Sequence, residues 1–526
     1  MRIVQSFFRP NVVVPGGSEN TRRVPSSRNM MRFTSIPAGP RRKGPDSPGS
    51  RPVLYPVPAR PSTTTHRAAS AKRPRRPWKT TLLRSPLLRA PDAHLLRTRY
   101  DRRVMQGTPF QAVDSSLAAE RDPCGLYVHI PFCETKCGYC DFYSVALKGR
   151  DPAPLVDRVM HELETRLRAA GRKIHTIFCG GGTPTLLPIG PLQRLLDALT
   201  RVRAVHPVGE FTVEANPATV DDEKAALLAA AGVTRVSMGA QSFHPAELAT
   251  LERIHQPQDV PRSVRVLRRS GIPQLNLDLI FGIPGQTMRT WQESLHRAIE
   301  LEPDHLACYG LTYEPGTRFT ALRAQGKLQP CDEGLETEMY LCAIDTLEDA
   351  GFEQYEISNF ARPGCRCRHN LIYWRNHDYI GVGPSAAGCL RGRRYKNVAD
   401  ISAYIRRMDA EGSAEAESET LDPPRRMVEM VMMQLRLRDG LSVSAFRQRF
   451  GMDPRSLFRD PLQRWQSHGI VRVDDERIAL TRRGLLVADA VIRELAAAIW
   501  NGIPADPPPQ ANAGTALSLP VRSGTS

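Results

Sequence analysis

The chain has 526 residues, 41% of them hydrophobic, and a formal net charge of +17, which is length enough for more than one folded unit. The charge is concentrated: residues 1–110 hold 23 Lys or Arg against four acids, and the remainder nets −2. The basicity therefore gives no nucleic-acid footprint to the rest of the chain, and without a signal-peptide pattern or a long apolar run neither secretion nor a membrane span is supported.

Residues 1–120 are rich in Arg, Pro and Ser, with breakers such as Arg73-Pro74-Arg75-Arg76-Pro77 and little apolar periodicity, so they read as a disordered leader. The proline content argues against the amphipathic helix of a transit peptide. A dispensable or artefactual extension, with translation beginning near Met105, is the favoured reading. The eleven cysteines then belong to a cytoplasmic, reducing setting, where thiols serve metals or catalysis more often than disulfides.

From about residue 124 short apolar runs alternate with amphipathic stretches. Strands are predicted at 126–130, 174–179, 211–214, 235–238, 275–280 and 305–311, with helices such as 155–167 and 192–202 between them. Six β/α repeats predict a parallel sheet, closed only partly into a barrel.

The first strand runs into Cys133-Glu134-Thr135-Lys136-Cys137-Gly138-Tyr139-Cys140. Iron–sulfur clusters are held by thiolates, usually four. A compact loop with three and no nearby fourth would leave one iron of a [4Fe-4S] cluster open to a small molecule. The same spacing could put three cysteines on one buried helical face, but Pro131 and Gly138 favour a loop. A Cys₃His zinc site using His129 is the sharper rival, although structural zinc usually draws on a second, distant pair.

Other polar motifs fall at the carboxyl ends of later strands, where β/α barrels gather their active groups. Gly180-Gly181-Gly182-Thr183-Pro184 follows the second strand and Glu214-Ala215-Asn216-Pro217 the third; Gln241 follows the fourth and Asp278 lies in the fifth. Taken singly, the glycines could serve only a tight corner, and Glu214 could be a solvated strand-end acid.

Together with Tyr127-Val128-His129-Ile130-Pro131-Phe132, Gly239-Ala240-Gln241-Ser242-Phe243, Asp278-Leu279-Ile280-Phe281-Gly282-Ile283-Pro284-Gly285 and His369-Asn370-Leu371-Ile372-Tyr373-Trp374, these residues resemble the radical S-adenosylmethionine (SAM) superfamily. They are most similar to its HemN/HemW branch of anaerobic coproporphyrinogen III oxidases and heme chaperones. The resemblance implies an incomplete (β/α)6 barrel of radical SAM type. It also implies a cluster on Cys133, Cys137 and Cys140, and SAM held by Tyr127, Gly181, Gly182, Thr183, Glu214, Gln241, Arg253 and Asp278.

Within the branch, the oxidases carry a further cysteine two residues past the third ligand, where this chain has Phe142. The resemblance therefore favours a heme chaperone that passes heme to acceptor hemoproteins over a porphyrinogen decarboxylase. It assigns heme contact to His369, Tyr373 and Trp374, residue types suited to iron ligation and to packing on a porphyrin. Radical modification of an RNA or protein is a weaker third reading. No nucleic-acid partner is expected.

The expected organisation is a radical SAM core at 121–345, a heme-motif and connecting segment at 346–420, and a winged-helix-like α+β domain at 421–500. A disordered tail is expected at 501–526. In the third region helices are predicted at 425–437, 443–450 and 462–468, followed by a hairpin from 470–473 and 477–481 and a last helix. Fold alone assigns no function to such a unit, and its mixed charge favours a lid or partner surface.

Overall fold

A computed structural model of the protein describes residues 122–502. The leader expected at 1–120 and the tail beyond 502 lie outside the described residues.

Six parallel strands form the centre: β1 (Cys124–Ile130), β2 (Ile174–Gly181), β3 (Glu210–Ala215), β4 (Arg235–Gln241), β5 (Gln274–Phe281) and β6 (His305–Gly310). They lie side by side in chain order, each adjacent pair parallel, with Leu126 opposite Ile177 and Asp278 opposite Ala307. Every residue of β1 is buried, as expected of a parallel sheet covered on both faces.

The crossovers are amphipathic helices: α1 (Ala153–Ala170), α2 (Ile189–Val205), α3 (Asp222–Ala230), α4 (Asp259–Arg269) and α5 (Met288–Glu300). Helix α1 buries Leu155, Val156, Val159 and Leu163 along one stripe and stops at Gly171, whose φ of 58° suits an αL cap. Helix α5 starts at a capping box made by Thr287 and Thr290 and buries Trp291 and Leu295.

The sheet does not stop at six strands. Strands β7 (Glu353–Gln354) and β8 (Asn359–Ala361) extend it antiparallel beyond β6, after the helix α6 (Glu333–Asp349). On the other side β9 (Tyr379–Val382) pairs parallel with β1, followed by antiparallel β10 (Ala387–Leu390), β11 (Arg393–Asn397) and β12 (Glu415–Thr420), giving twelve strands in all. Both edges of the six-strand unit would otherwise present unpaired backbone groups, and segments from 353–420 cover them. The helix α7 (Arg368–Trp374) connects the two flanks, and α8 (Ile401–Glu411) lies between β11 and β12 in sequence.

The remaining chain contains α9 (Pro423–Gln434), α10 (Val443–Phe450), α11 (Arg459–Ser467) and α12 (Ala488–Gly502) with a small antiparallel sheet. That sheet comprises β13 (Leu441–Ser442), β14 (Val471–Val473) and β15 (Arg477–Leu480), in the order β13-β15-β14. One contiguous apolar core runs from Leu126 and Ile177 through Met430 and Val431 to Val491 and Ile499. No helix among the described residues is long and apolar enough to cross a membrane.

Candidate cluster and cofactor cleft

The carboxyl ends of β1–β5 open into one cleft lined by Cys133, Cys137 and Cys140 together with Gly181, Gly182, Thr183, Glu214, Gln241, Arg253 and Asp278. The cysteine segment is a loop. Its first thiol sits in a two-residue strand, Phe132–Cys133, pinned by Val145 N–H to Pro131 O (2.8 Å) and Leu147 N–H to Cys133 O (2.9 Å). The far end is a turn closed by Cys140 N–H to Cys137 O (3.1 Å), and Phe319 N–H ties Gly138 O to the rest of the chain (2.9 Å).

All three cysteines are half-buried and none of them forms a disulfide. They share a cleft, yet no three His, Cys, Asp or Glu side chains among the described residues converge as a single ion would require. Separate irons of one cube take their thiolates from spread positions, so this donor set fits a cluster better than a tetrahedral zinc. His129 does not join them. Its ring is fully buried, with Nδ1 bonded to Tyr127 Oη (2.7 Å) and Nε2 to Tyr143 O (3.0 Å).

The glycine turn is a packing necessity first. A Cβ on Gly181 would strike the His129 ring, one on Gly180 the Glu214 carboxylate, and one on Gly182 the backbone at Ile130 and Phe132. Gly181 also has φ of +101°. The N–H groups are committed: Gly181 to Glu214 Oε2 (2.8 Å), Gly182 to Ile130 O (2.9 Å) and Thr183 to Phe132 O (2.7 Å). Any backbone group this turn gives to a ligand is therefore a carbonyl oxygen, an acceptor suited to an ammonium.

Around the turn the charges are arranged with some strain. Burial pushes the Glu214 carboxyl up to about 7, with Asp278 adding to the rise and the Gly181 N–H opposing it. Gln241 holds φ of 63° at a register irregularity in β4, a conformation that costs about 1 kcal/mol or more for a non-glycine residue and tends to persist at functional sites. Arg253 reaches Cys137 Sγ (3.7 Å) and Gly239 O (2.9 Å), setting a guanidinium beside a prospective thiolate. Asp278 accepts from Asn276 Nδ2 (2.7 Å), and Asn276 is held in turn by Ser237 and His305.

Four predicted residues stay out of this cleft. Tyr127 lies behind it, 5% exposed and bonded to His129. His369 is fully buried, its Nδ1 bonded to Thr176 Oγ1 (2.7 Å) and its Nε2 to Tyr373 Oη (2.8 Å), with the ring stacked on Phe178. Both nitrogens are taken, and burial lowers its pKa to about 3. The imidazole that the resemblance assigns to heme is thus enclosed in the core, with a hydrogen bond at each nitrogen. The reason is Glu210, whose carboxylate accepts from Arg368 N (2.7 Å) and His369 N (3.0 Å) and anchors the start of α7 against β3. Tyr373 and Trp374 are buried in a neighbouring apolar cluster, and Cys367 is a buried thiol pushed up to about 12.

Sequence reasoning missed Arg235, Asn276, Asn370 and Phe178, which also line the cleft. Asn370 was within reach, since it lies in the quoted His369 motif; Arg235 and Asn276 sit inside strands where nothing in the pattern marks them.

Comparison with known proteins agrees with this geometry. The family model described as Radical SAM superfamily matches residues 127–298, and the one described as HemN C-terminal domain matches residues 421–487. A heme chaperone HemW of Bacillus subtilis is 34% identical over 367 residues, covering 69% of this chain and 97% of that protein. The Escherichia coli heme chaperone HemW is 42% identical over 268 residues, covering 51% and 70% respectively. Among solved structures, coproporphyrinogen III oxidase (HemN) from Escherichia coli superposes with a TM-score of 0.61 at 24% identity, covering 72% of this chain and 91% of that one. Fold and cleft thus define a protein of the radical SAM superfamily. More narrowly, the chain belongs to its HemN/HemW family.

Proposed function

We propose that the protein is a cytoplasmic heme chaperone, which binds heme and passes it to acceptor hemoproteins, and which carries a [4Fe-4S] cluster with exchangeable SAM. The observation that carries this reading is the match to a named heme chaperone along nearly that protein's whole length. It is supported by Phe142, which lines the cleft where the oxidases of the branch are expected to have a further cysteine.

Cys133, Cys137 and Cys140 would hold the cluster. When bound, it offers an open iron to the methionine end of SAM and an electron for cleaving the sulfonium. The protein's own part is to orient and to balance charge. Arg253 places a cation against the thiolate of Cys137. Glu214 and the carbonyls of the glycine turn can accept from the ammonium, and Asp278, fixed by Asn276, can accept from ribose hydroxyls.

The test is one anaerobically reconstituted preparation, measured for iron, heme uptake, heme transfer to an apo-hemoprotein and turnover of coproporphyrinogen III. Stoichiometric heme uptake and transfer without porphyrinogen turnover is expected, and Cys137→Ala should lose the iron. Efficient porphyrinogen decarboxylation would overturn the chaperone reading in favour of the oxygen-independent oxidase.

A further inference from the structure

A second cavity, of about 480 Å³, lies between the β9–β11 side of the sheet and helices α9 and α10. Seven arginines and four carboxylates line it. Every one of those carboxylates already has a basic partner: Glu429 pairs with Arg394, Asp378 with Arg172 (3.5 Å), Asp439 with Arg375 (3.8 Å) and Asp122 with His377 (3.3 Å). Arg391, Arg426, Arg449 and Arg477 are left over, with no carboxylate within ion-pair distance among the described residues.

These four arginines come from separate elements. Arg391 is in the turn between β10 and β11, Arg426 on α9, Arg449 on α10 and Arg477 at the start of β15. Arg391 and Gly392 make a two-residue hairpin turn, with φ of 50° and 79°. Turns of that kind favour Asn-Gly, Asp-Gly or Gly-Gly, so an arginine is an uncommon occupant of this cavity wall.

Arg449 shows the conflict of charge most clearly. Its guanidinium reaches the Asn376 carbonyl (3.3 Å) and no carboxylate, and burial together with the charge of Arg426 lowers its pKa. Cations drawn together and partly out of water are costly unless an anion joins them. One carboxylate, with two oxygens and a single charge, is too little for four guanidiniums. A phosphoryl group offers three terminal oxygens and up to about two charges, and the planar arginine fork matches it bidentately. The cavity is also within the usual range for small-molecule sites, about 300–1,000 Å³.

We propose that this cavity binds a small phosphorylated anion, with the phosphoryl oxygens shared among Arg391, Arg426, Arg449 and Arg477. Such an anion draws the β10–β11 turn and helices α9 and α10 toward one centre, so that its binding tightens the seat of the C-terminal helices on the sheet. The site shares no lining residue with the cysteine cleft, and the proposal does not depend on the heme-chaperone reading.

The test is calorimetric titration and thermal unfolding of the full, cluster-reconstituted chain at constant ionic strength. The probes are sodium pyrophosphate and ribose 5-phosphate, with citrate as the carboxylate comparison. The basic leader, with 23 Lys or Arg against four acids in residues 1–110, adds a background, so the same titrations are run on Arg426→Gln combined with Arg449→Gln, which keeps the leader. Saturable one-to-one binding of at least one of the two phosphates, tighter than that of citrate, is expected, together with a raised unfolding temperature. Tighter binding of pyrophosphate assigns the site to a free polyphosphate, and tighter binding of ribose 5-phosphate assigns it to an organic phosphate.

Loss of the charge-assisted hydrogen bonds should weaken binding to the double variant at least about tenfold. Without the anion that variant should unfold at the temperature of the unaltered chain or above it, because like charges have been removed; arginines with a purely structural role would lower it. Arg391→Gln, at an exposed position, should weaken binding with no change in unfolding, and it decides the matter if the double variant does not fold. Equal binding by the unaltered chain and the variants, or equal binding of citrate and the phosphates, overturns the proposal.

Discussion

Glu214 should make the stability of the cluster-free protein depend on pH in a way that one substitution removes. Its carboxyl is pushed from an ordinary 4.5 up to about 7, chiefly by burial and further by Asp278, with the Gly181 N–H offsetting part of the rise. Below pH 4.5 the group is protonated in both the folded and the unfolded chain. Between there and about 7 the unfolded chain releases the proton and the folded chain keeps it, so stability falls as pH rises through that window. The displacement corresponds to a loss on the order of 3 kcal/mol.

Glu214→Gln keeps the shape and the acceptor for Gly181 but cannot ionise. Urea unfolding from pH 5 to 8 should therefore show the variant gaining on the native sequence by up to about 3 kcal/mol as pH rises. A cationic ligand beside Glu214 should pull the proton off. Calorimetry of SAM binding to the reconstituted protein near pH 6, in buffers of different ionisation enthalpy, should report proton release that is absent in the variant. Parallel stability curves for the two proteins would refute the reasoning.

Two further substitutions probe the scaffold. Glu162 is 2% exposed and accepts from Arg166 Nε (2.7 Å), Gly383 N (2.8 Å), Asn397 Nδ2 (2.8 Å) and Tyr404 Oη (2.6 Å), joining α1 to β11 and α8. Glu162→Ala would strand those donors and should cost about 3–5 kcal/mol in urea unfolding, whereas a loss below 1 kcal/mol would show that water replaces the carboxylate. Gly181→Ala meets both an unfavourable backbone region and the His129 ring. It should lower stability by about 1–3 kcal/mol or more and weaken SAM binding, and unchanged values for both would mean that the turn relaxes freely.

How far the sequence could be read depends on the kind of interaction involved. The six strands predicted at 126–130, 174–179, 211–214, 235–238, 275–280 and 305–311 all form, within a few residues at their ends, because parallel strands buried on both faces must be continuous apolar runs. The helix predicted at 443–450 forms over Val443–Phe450. The shared cleft of the cysteines, Gly181, Glu214, Gln241 and Asp278 was legible for a related reason, since each follows a strand of one parallel sheet or lies within it, and strand ends of one sense meet on one side.

What the sequence by itself determined is therefore the local periodicity, the order of the six units and the thiol spacing, all properties set by neighbours in the chain. Tertiary structure alone decided the burial of His369: Tyr373 is its i,i+4 neighbour on α7, but Thr176 lies 193 residues away and only packing brings it to the ring. It also decided that segments near residues 353–361 and 379–420 cap opposite edges of the sheet. The seven arginines and His377 around the cavity between β9–β11 and helices α9 and α10 come from six separated stretches of chain. Long-range hydrogen bonds and charge convergence have no period along the sequence, which is why the cleft could be anticipated and that cavity could not.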